Sequence, residues 1–148
     1  MMKNILIILF SLVFFASCGN VKDINIEELQ YINIKSLKGS NAVVEIGVLV
    51  NNPSTHNLII KAANIEILRD GYYFGTADLH EKVTIPKRTY ETATITFNVK
   101  ITDKMAILSG RIRNILAGED RTKLSFNGYI KGGTKMVSKK IKLENVEF

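Results

Sequence analysis

The sequence of 148 residues is poor in the residue types that build catalytic and metal sites, since it contains one cysteine, two histidines and no tryptophan. A single cysteine cannot form a disulfide within the chain. His56 and His80 are well apart in sequence, and no second cysteine completes a zinc site. Asp78 and Glu81 lie close to His80, but no serine elbow, glycine-rich phosphate loop or recurring carboxylate motif accompanies them. We therefore expect a non-enzymatic protein without catalytic residues, metal or cofactor.

Proline is equally scarce, with two residues in the chain, and no low-complexity run is present. No linker therefore divides the chain, and a stretch of this length forms one domain with a proper core. The formal net charge of +6 favours solubility and draws the protein weakly toward anionic surfaces. This charge does not by itself indicate nucleic acid, and the N-terminal segment indicates export, so we expect no nucleic-acid partner.

What the sequence does have is a hydrophobic run near its start, residues 5–15, which is apolar apart from Ser11 and follows the positive Lys3. A charged start, a short apolar run and small residues before a cut site are typical of a secretory signal peptide. The run is shorter than the roughly 20 apolar residues that span a bilayer. We therefore predict a signal peptide over residues 1–17, with Cys18 directly after it.

The residues around this cut site, Ala16-Ser17-Cys18-Gly19, resemble a bacterial lipobox, although Phe15 stands where lipoboxes usually carry leucine. The resemblance implies that Cys18 becomes the first mature residue and carries a diacylglyceryl group. Its new amino group often takes a third acyl chain such as palmitate. One acyl chain holds a protein only marginally, whereas two or three give stable anchoring. The alternative is an ordinary signal peptide followed by a chance cysteine.

Only a short tether, residues 18–23, separates the lipidation site from the first strand-like run. A segment of this length reaches at most roughly 20 Å when it is extended. We therefore expect the domain to stay near its membrane, in the cell envelope. Gly19, rather than aspartate, after the cysteine resembles outer-membrane sorting in some bacteria, so we expect the outer membrane.

The domain that follows, residues 24–148, consists mainly of strand-like runs. Apolar residues occupy every second position over residues 44–50 and 93–101, which is the pattern of half-buried strands. Further strand-like runs cover residues 24–38, 58–68, 72–75, 79–85, 124–130 and 137–143. Asp70-Gly71 and Gly132-Gly133 mark turns. Many short strands with turn signals between them predict a mainly β, fibronectin-III/Ig-like antiparallel β-sandwich.

One segment, residues 103–117, has helical rather than strand periodicity. Its apolar residues recur at spacings of three, four and three: Met105, Leu108, Ile112 and Ile115. Asp103 or Thr102 is a suitable N-cap, and Gly118 is well placed to end the helix. We predict one α-helix over about 103–117 whose apolar stripe packs on the sheet; the alternative is a partner-binding face.

The order of short motifs in the middle of the chain resembles a known family. Asn51-Asn52-Pro53 ends a hydrophobic strand, and Gly71…Gly75, Ile85-Pro86 and the alternating strand 93–101 follow. This order is similar to the water-stress and hypersensitive-response (WHy) domain of the type-2 late-embryogenesis-abundant, or LEA14-like, family. The similarity covers residues 21–143. It implies a fibronectin-type-III-like sandwich with one helix, a link to stress and desiccation tolerance, and no established catalytic residues. Bacterial members include lipid-anchored envelope proteins.

The Asn51-Asn52-Pro53 motif has both a structural and a functional interpretation. Pro53 has no N–H for a sheet ladder and therefore ends the strand. Asn51 or Asn52 can bond neighbouring backbone groups and hold the loop that follows. We favour this structural role; the alternative is a binding loop at one end of the sandwich.

A cluster of lysines in the last two strands is the second candidate site. Its members, after Lys123, are Lys131, Lys135, Lys139, Lys140 and Lys142. Lysines on an edge strand discourage edge-to-edge aggregation, and this explains much of the cluster. The sharper hypothesis is contact with anionic lipid head groups or envelope polysaccharide, to which each lysine near a bilayer adds about 1 kcal/mol.

Together these observations predict a lipid-anchored envelope protein that serves as a binding, scaffolding or stress-protection module. Its expected partners are the membrane, through Cys18, and an envelope protein, an anionic lipid or a polysaccharide. The alternative is a periplasmic carrier of an apolar ligand. A carrier needs a cavity of about 300 to 1,000 Å³, either between the sheets or beneath the helix.

Overall fold

Eight β-strands and two short α-helices make up the part of the chain that the computed structural model describes, residues 25–119 and 123–147. The strands are β1 Asn25–Lys38, β2 Asn41–Asn52, β3 Leu58–Arg69, β4 Tyr72–Leu79, β5 Val83–Ile85, β6 Thr89–Ile101, β7 Leu124–Gly133 and β8 Ser138–Glu147. The helices are α1 Lys104–Ser109 and α2 Ile112–Leu116. The predicted signal peptide, Cys18 and the tether 18–23 lie outside the described residues.

All strands pair antiparallel in the order β1-β2-β6-β4-β3-β7-β8, and β5 pairs with the start of β3. The sheet folds over on itself, because Leu58 of β3 and Ile85 of β5 pack with Val48 and Val50 of β2. The predicted mainly β, sandwich-like fold is therefore confirmed. The alternation of residues 93–101 is confirmed as well, since Ala93, Ile95, Val99 and Ile101 are buried.

The strand registers define two ends of the molecule. At the first, which we call the loop end, Asn25 pairs with Asn51, and Leu58 pairs with Ile85. The loop end therefore holds the start of β1, the loops 53–57 and 86–88, and the turn 134–137 that follows Gly133. At the opposite end, the helix end, lie α1, α2, the Asp70-Gly71 turn and the β1–β2 turn.

The core consists of two apolar clusters, one toward each end. The cluster toward the loop end contains Val48, Val50, Leu58, Ile85, Ala93 and Ile95. The cluster toward the helix end joins sheet residues to helical ones: Ala42, Val44, Ile67, Phe74, Ala77, Val99, Ile101, Ala106, Ile112 and Ile115. Burial of Ile and Phe side chains stabilises the fold by about 1.5–3 kcal/mol each. The helices therefore close one end of the sandwich core.

The prediction of one helix over 103–117 is wrong, because the chain forms two. Gly110 adopts a left-handed conformation (φ 67°) and its N–H bonds to Ile107 O, which ends α1. The break resets the helical register, so Ala106, Ile112 and Ile115 are buried, whereas Met105 and Leu108 are 71% and 82% exposed. In the described part of the chain, no helix has both the length and the apolar character needed to cross a membrane.

Two predicted boundaries also need correction. Residues 79–85 are not one strand, because β4 ends at Leu79, a turn follows, and β5 begins at Val83. Gly132 and Gly133 do not form the last turn but belong to β7. The turn lies at residues 134–137, where Thr134 N–H donates to Val137 O at 2.9 Å.

Asp103 connects α1 to the sheet through both oxygens of its carboxylate. Oδ1 accepts from the N–H groups of Met105 and Ala106 at 3.0 and 3.1 Å, which is the predicted N-cap. Oδ2 lies 2.7 Å from Arg69 Nη2 at the end of β3, and both side chains are largely buried. The ion pair and the cap therefore fix the helix on the β3–β4 hairpin.

Replacing Asp103 with alanine should lower the free energy of unfolding by about 2–3 kcal/mol, because it removes an N-cap worth about 1 kcal/mol and the ion pair with Arg69. Asp103→Asn keeps an acceptor for the cap and loses only the charge, so we expect a smaller loss of roughly 1 kcal/mol. Urea unfolding of the full-length protein, followed by circular dichroism, measures both. Equal stability of the two variants would contradict this assignment.

Candidate functional site

The side chain of Asn52 is the centre of a hydrogen-bonded network at the loop end. Asn52 is fully buried, and its Nδ2 donates to the carbonyl oxygens of His56, Ile85 and Pro86 at 3.1, 3.3 and 3.0 Å. Its Oδ1 accepts from Ser54 N–H at 3.2 Å and from Ser54 Oγ at 2.7 Å. Both ends of the amide are thus used within the protein. This geometry favours the structural interpretation of the motif over ligand binding by Asn52.

Hydrogen bonds join the loops 53–57 and 86–88 to each other beside this network. Arg88 N–H donates to Ser54 O at 3.1 Å, and Lys87 N–H donates to Asn57 Oδ1 at 2.9 Å. Arg88 has a positive φ of 52°. The side chains that face solvent here include Pro53, His56 and Lys87. Any ligand at this end must therefore contact the outer surface of the two loops.

The histidines and the acidic residues near them do not converge on one site. His80 Nδ1 lies 2.9 Å from Asn98 Oδ1, and Asp78 Oδ1 accepts from Asn64 Nδ2. His56 is in a different loop and contacts Thr55. Over residues 25–119 and 123–147, no group of three or more His, Cys, Asp and Glu side chains is placed to hold a metal ion.

Three lysines of the last two strands, Lys131, Lys140 and Lys142, form a basic face beside the edge of the sheet, whereas Lys139 pairs with Gly132 and lies on the opposite face. Lys131 lies directly opposite Lys140 in the register, and Tyr129 lies opposite Lys142. Lys140 Nζ is 3.7 Å from the centre of the Tyr129 ring, a cation–π contact. Because β8 is an edge strand of the described sheet, its lysines also discourage pairing with another chain.

Within this face, Lys142 has an acidic partner. Its Nζ lies 2.6 Å from Glu144 Oε1, and the hydrogen bond raises the pKa of Lys142 and lowers the pKa of Glu144. Lys142 is thus partly neutralised, whereas Lys131 lies opposite Lys140 in the register, and Lys135 and Lys139 lie nearer the loop end. The basic character is therefore strongest toward the loop end.

A groove of about 600 Å³ runs along the basic face and is open to solvent. The residues that line it are Glu66, Asn127, Gly128, Tyr129, Lys140, Lys142, Leu143 and Glu144. The groove lies on the outside of the sheet and not between its layers. Because the groove is open to solvent, it would bury little of an apolar ligand, unlike the concave pocket that a carrier needs.

The first residues of β1 are held in place by a side-chain contact across the sheet. Tyr90 Oη donates to Glu27 Oε2 at 2.8 Å. This hydrogen bond raises the pKa of Tyr90. Because Tyr90 stands at the start of β6, the contact fixes the point at which the chain enters the domain, at the loop end.

Large apolar side chains are exposed at both ends of the molecule. At the helix end, Tyr72 is 79% exposed and lies in the hairpin next to α1, which carries Met105 and Leu108. At the loop end, Met136 and Val137 are exposed in the β7–β8 turn. The apolar spacing predicted that Met105 and Leu108 pack on the sheet, with a partner-binding face as the alternative, and the Gly132-Gly133 turn signal did not indicate that Met136 is exposed at a turn.

Comparison with known proteins supports the fold but does not assign the chain to a family. No family model matches the chain, and no curated protein matches it in sequence. A crystal structure of a protein from Archaeoglobus fulgidus has a TM-score of 0.52 at 13% identity, covering 81% of this chain and 95% of that one. A solution structure of AT1g01470 from Arabidopsis thaliana has a TM-score of 0.34 at 12% identity, covering 87% and 88%. The likeness to the archaeal protein shows a shared fold alone.

Proposed function

We propose that the protein is a non-enzymatic, lipid-anchored protein of the cell envelope whose β-sandwich serves as a binding or scaffolding module. The proposed anchor is Cys18, preceded by a signal peptide over residues 1–17. A role in stress protection rests on the resemblance of residues 21–143 to the WHy domain. The outer membrane is the proposed location, on the basis of Gly19.

The position at which β1 begins orients the domain relative to the proposed lipid anchor. β1 begins at Asn25, at the loop end, and residues 19–24 lie between it and Cys18. Fully extended, that segment spans at most about 25 Å. The loop end therefore stays close to the lipid surface. A 12-residue strand such as β2 is about 40 Å long, so the helix end projects away from the membrane.

The observation that carries the binding role is the exposed apolar surface at the helix end. Tyr72, Met105 and Leu108 are all mostly exposed there. Aromatic residues and methionine are enriched at protein interfaces. Under the proposed anchoring, this surface faces away from the bilayer, where an envelope protein can reach it.

Co-purification from detergent-solubilised envelopes tests this function with the full-length, lipidated protein. We expect a stoichiometric protein partner with the wild type. Met105→Ser combined with Leu108→Ser should lose the partner, since it removes two exposed apolar contacts. Met136→Ser combined with Val137→Ser is the matched control at the loop end and should retain it.

Two results would contradict the binding role. One is retention of the partner by the helix-end variant at the wild-type level. The other is recovery of lipid, beyond the chains attached to Cys18, with no protein partner, which would favour the apolar-ligand carrier instead.

A further inference from the structure

We infer that the β7–β8 turn, residues 134–137, docks on the surface of an anionic membrane, so that the domain stands on its loop end. This inference rests on the proposed lipid anchor at Cys18. It adds a second membrane contact, made by the folded domain, and assigns the bilayer as its ligand.

The turn displays two neighbouring apolar side chains to solvent. Met136 is 94% and Val137 is 65% exposed. Single exposed apolar residues are common on protein surfaces. Here, however, two adjacent ones occupy the tip of a hairpin between Lys135 and Lys139. An apolar tip flanked by cations is the combination that binds the interface of an anionic bilayer.

The turn is held in one conformation before any contact is made. Thr134 N–H donates to Val137 O at 2.9 Å, and Val137 N–H donates to Thr134 Oγ1 at 3.2 Å. Gly133 precedes the turn with a positive φ of 154°, and a Cβ there would lie 2.1 Å from Val137 O. The apolar pair is therefore preorganised, which lowers the entropic cost of docking.

The position of the turn matches the direction of the proposed anchor. Gly133 pairs with Ile59 at the start of β3, whose other neighbour there is β5 with Ile85. The exposed Lys87 and Arg88 follow β5. The turn and the loop 86–88 thus flank the start of β3 at the loop end, the end at which β1 begins. A tether of at most about 25 Å brings all of them close to the lipid surface.

The charge around the turn complements an anionic surface. Residues 131–140 contain four lysines and no acidic residue. Lys61 Nζ donates to Ser138 Oγ, which adds another cation beside the turn. Protection of the edge strand explains lysines on β8, but it explains neither Lys135 in the turn nor the apolar pair. The carboxylates Glu27 and Glu91 belong to β1 and β6, in the other half of the sheet.

A pair of fluorescent labels tests this contact in the full-length, lipidated protein. Met136→Cys places a thiol in the turn, and Leu108→Cys places a matched one at the helix end, where the native side chain is similarly exposed. Both are labelled with an environment-sensitive fluorophore and reconstituted into phosphatidylglycerol–phosphatidylethanolamine vesicles. We expect the fluorophore at position 136, and not the one at position 108, to show a blue-shifted emission. Lipids that carry a spin label on the acyl chain should quench the same fluorophore only.

Vesicles of phosphatidylcholine test the electrostatic part of the contact. Each lysine that reaches an anionic surface favours the docked state roughly fivefold, so the blue shift at position 136 should fall on the neutral vesicles. Lys135→Glu should produce a similar fall on the anionic vesicles. An unchanged shift in both experiments would overturn the assignment of an anionic membrane as the ligand.

The outcomes separate this inference from the proposed anchor. The wild-type protein, treated with the same fluorophore, should stay unlabelled because lipid occupies its only thiol. Labelling of the wild type, or failure to float with vesicles, would overturn the anchor and the docked turn together. A different result would overturn the docked turn alone: all proteins float with the vesicles, but the label at position 136 is as exposed to water as the label at position 108.

Discussion

Replacing Asn52 with aspartate is expected to lower the free energy of unfolding by about 4 kcal/mol, the largest effect of any single side chain considered. The substitution keeps the shape of the residue but turns a donor into an acceptor. Three carbonyl oxygens, of His56, Ile85 and Pro86, would face an oxygen instead of Nδ2. Each buried polar group left without a partner costs about 1–3 kcal/mol, and a buried carboxylate adds to this cost.

The neighbouring asparagine provides the control for this prediction. Asn51→Asp changes a half-buried side chain at the same strand end and should cost less than about 1 kcal/mol. Asn52→Ala removes all five hydrogen bonds of the buried amide without adding charge and should cost about 3 kcal/mol, although His56 O and Pro86 O keep Ser54 Oγ and Thr89 Oγ1 as donors. Urea unfolding of the full-length variants gives the three values. Loss of a binding partner with unchanged stability in Asn52→Ala would show that the motif binds a ligand and is not structural.

Replacing Gly75 with alanine should destabilise the protein by about 3 kcal/mol or prevent folding. Gly75 lies in β4 where Phe74 forms a bulge, since Ile67 pairs with Gly75 and Leu68 with Tyr73. A Cβ at Gly75 would lie 2.2 Å from Lys100 O in β6. Backbone of a central strand cannot move aside without loss of ladder hydrogen bonds, so the cost lies at the upper end for overpacking.

Gly47→Ala is the matched control, because the overlap there involves a side chain. Its Cβ would lie 2.1 Å from the ring of Tyr31. That ring lies on the outer surface, where its hydroxyl is 2.9 Å from Thr94 Oγ1. Rotation of Tyr31 relieves the overlap at the cost of one exposed hydrogen bond, roughly 1 kcal/mol. A Gly75→Ala protein that melts at the same temperature as Gly47→Ala would contradict the close approach of β4 and β6.

The strands were predictable because their pattern is local. Apolar and polar residues alternate without interruption from Ala93 to Ile101, and the apolar face of this segment is buried in the structure. The Asp70-Gly71 turn was predictable for the same reason, and both residues have positive φ. The helical segment was only partly predictable, because the apolar spacing continues through Gly110, whereas the helical conformation of the backbone ends there. A glycine at that position was the signal that the stripe from Met105 to Ile115 is not continuous.

The candidate sites depended on contacts that sequence patterns do not contain. The partners of Asn52 include Ile85 and Pro86, which reach it only because β5 pairs with the start of β3. The exposed turn at Met136 was hidden because Gly132-Gly133 is the stronger turn signal. In the structure, Gly133 instead permits the close approach of Val137 O. The pairing between strands thus determines both the partners of Asn52 and the position of the exposed turn.

Mass spectrometry of the mature protein, purified from envelope membranes, is the most direct test of the lipid anchor at Cys18. We expect an N-terminal peptide that begins at Cys18 and carries the added mass of two or three acyl chains. Cys18→Ser should lose both this modification and the membrane-bound pool. A mature protein that retains residues 1–17, or begins elsewhere with an unmodified Cys18 thiol, would contradict the lipid anchor and the orientation built on it.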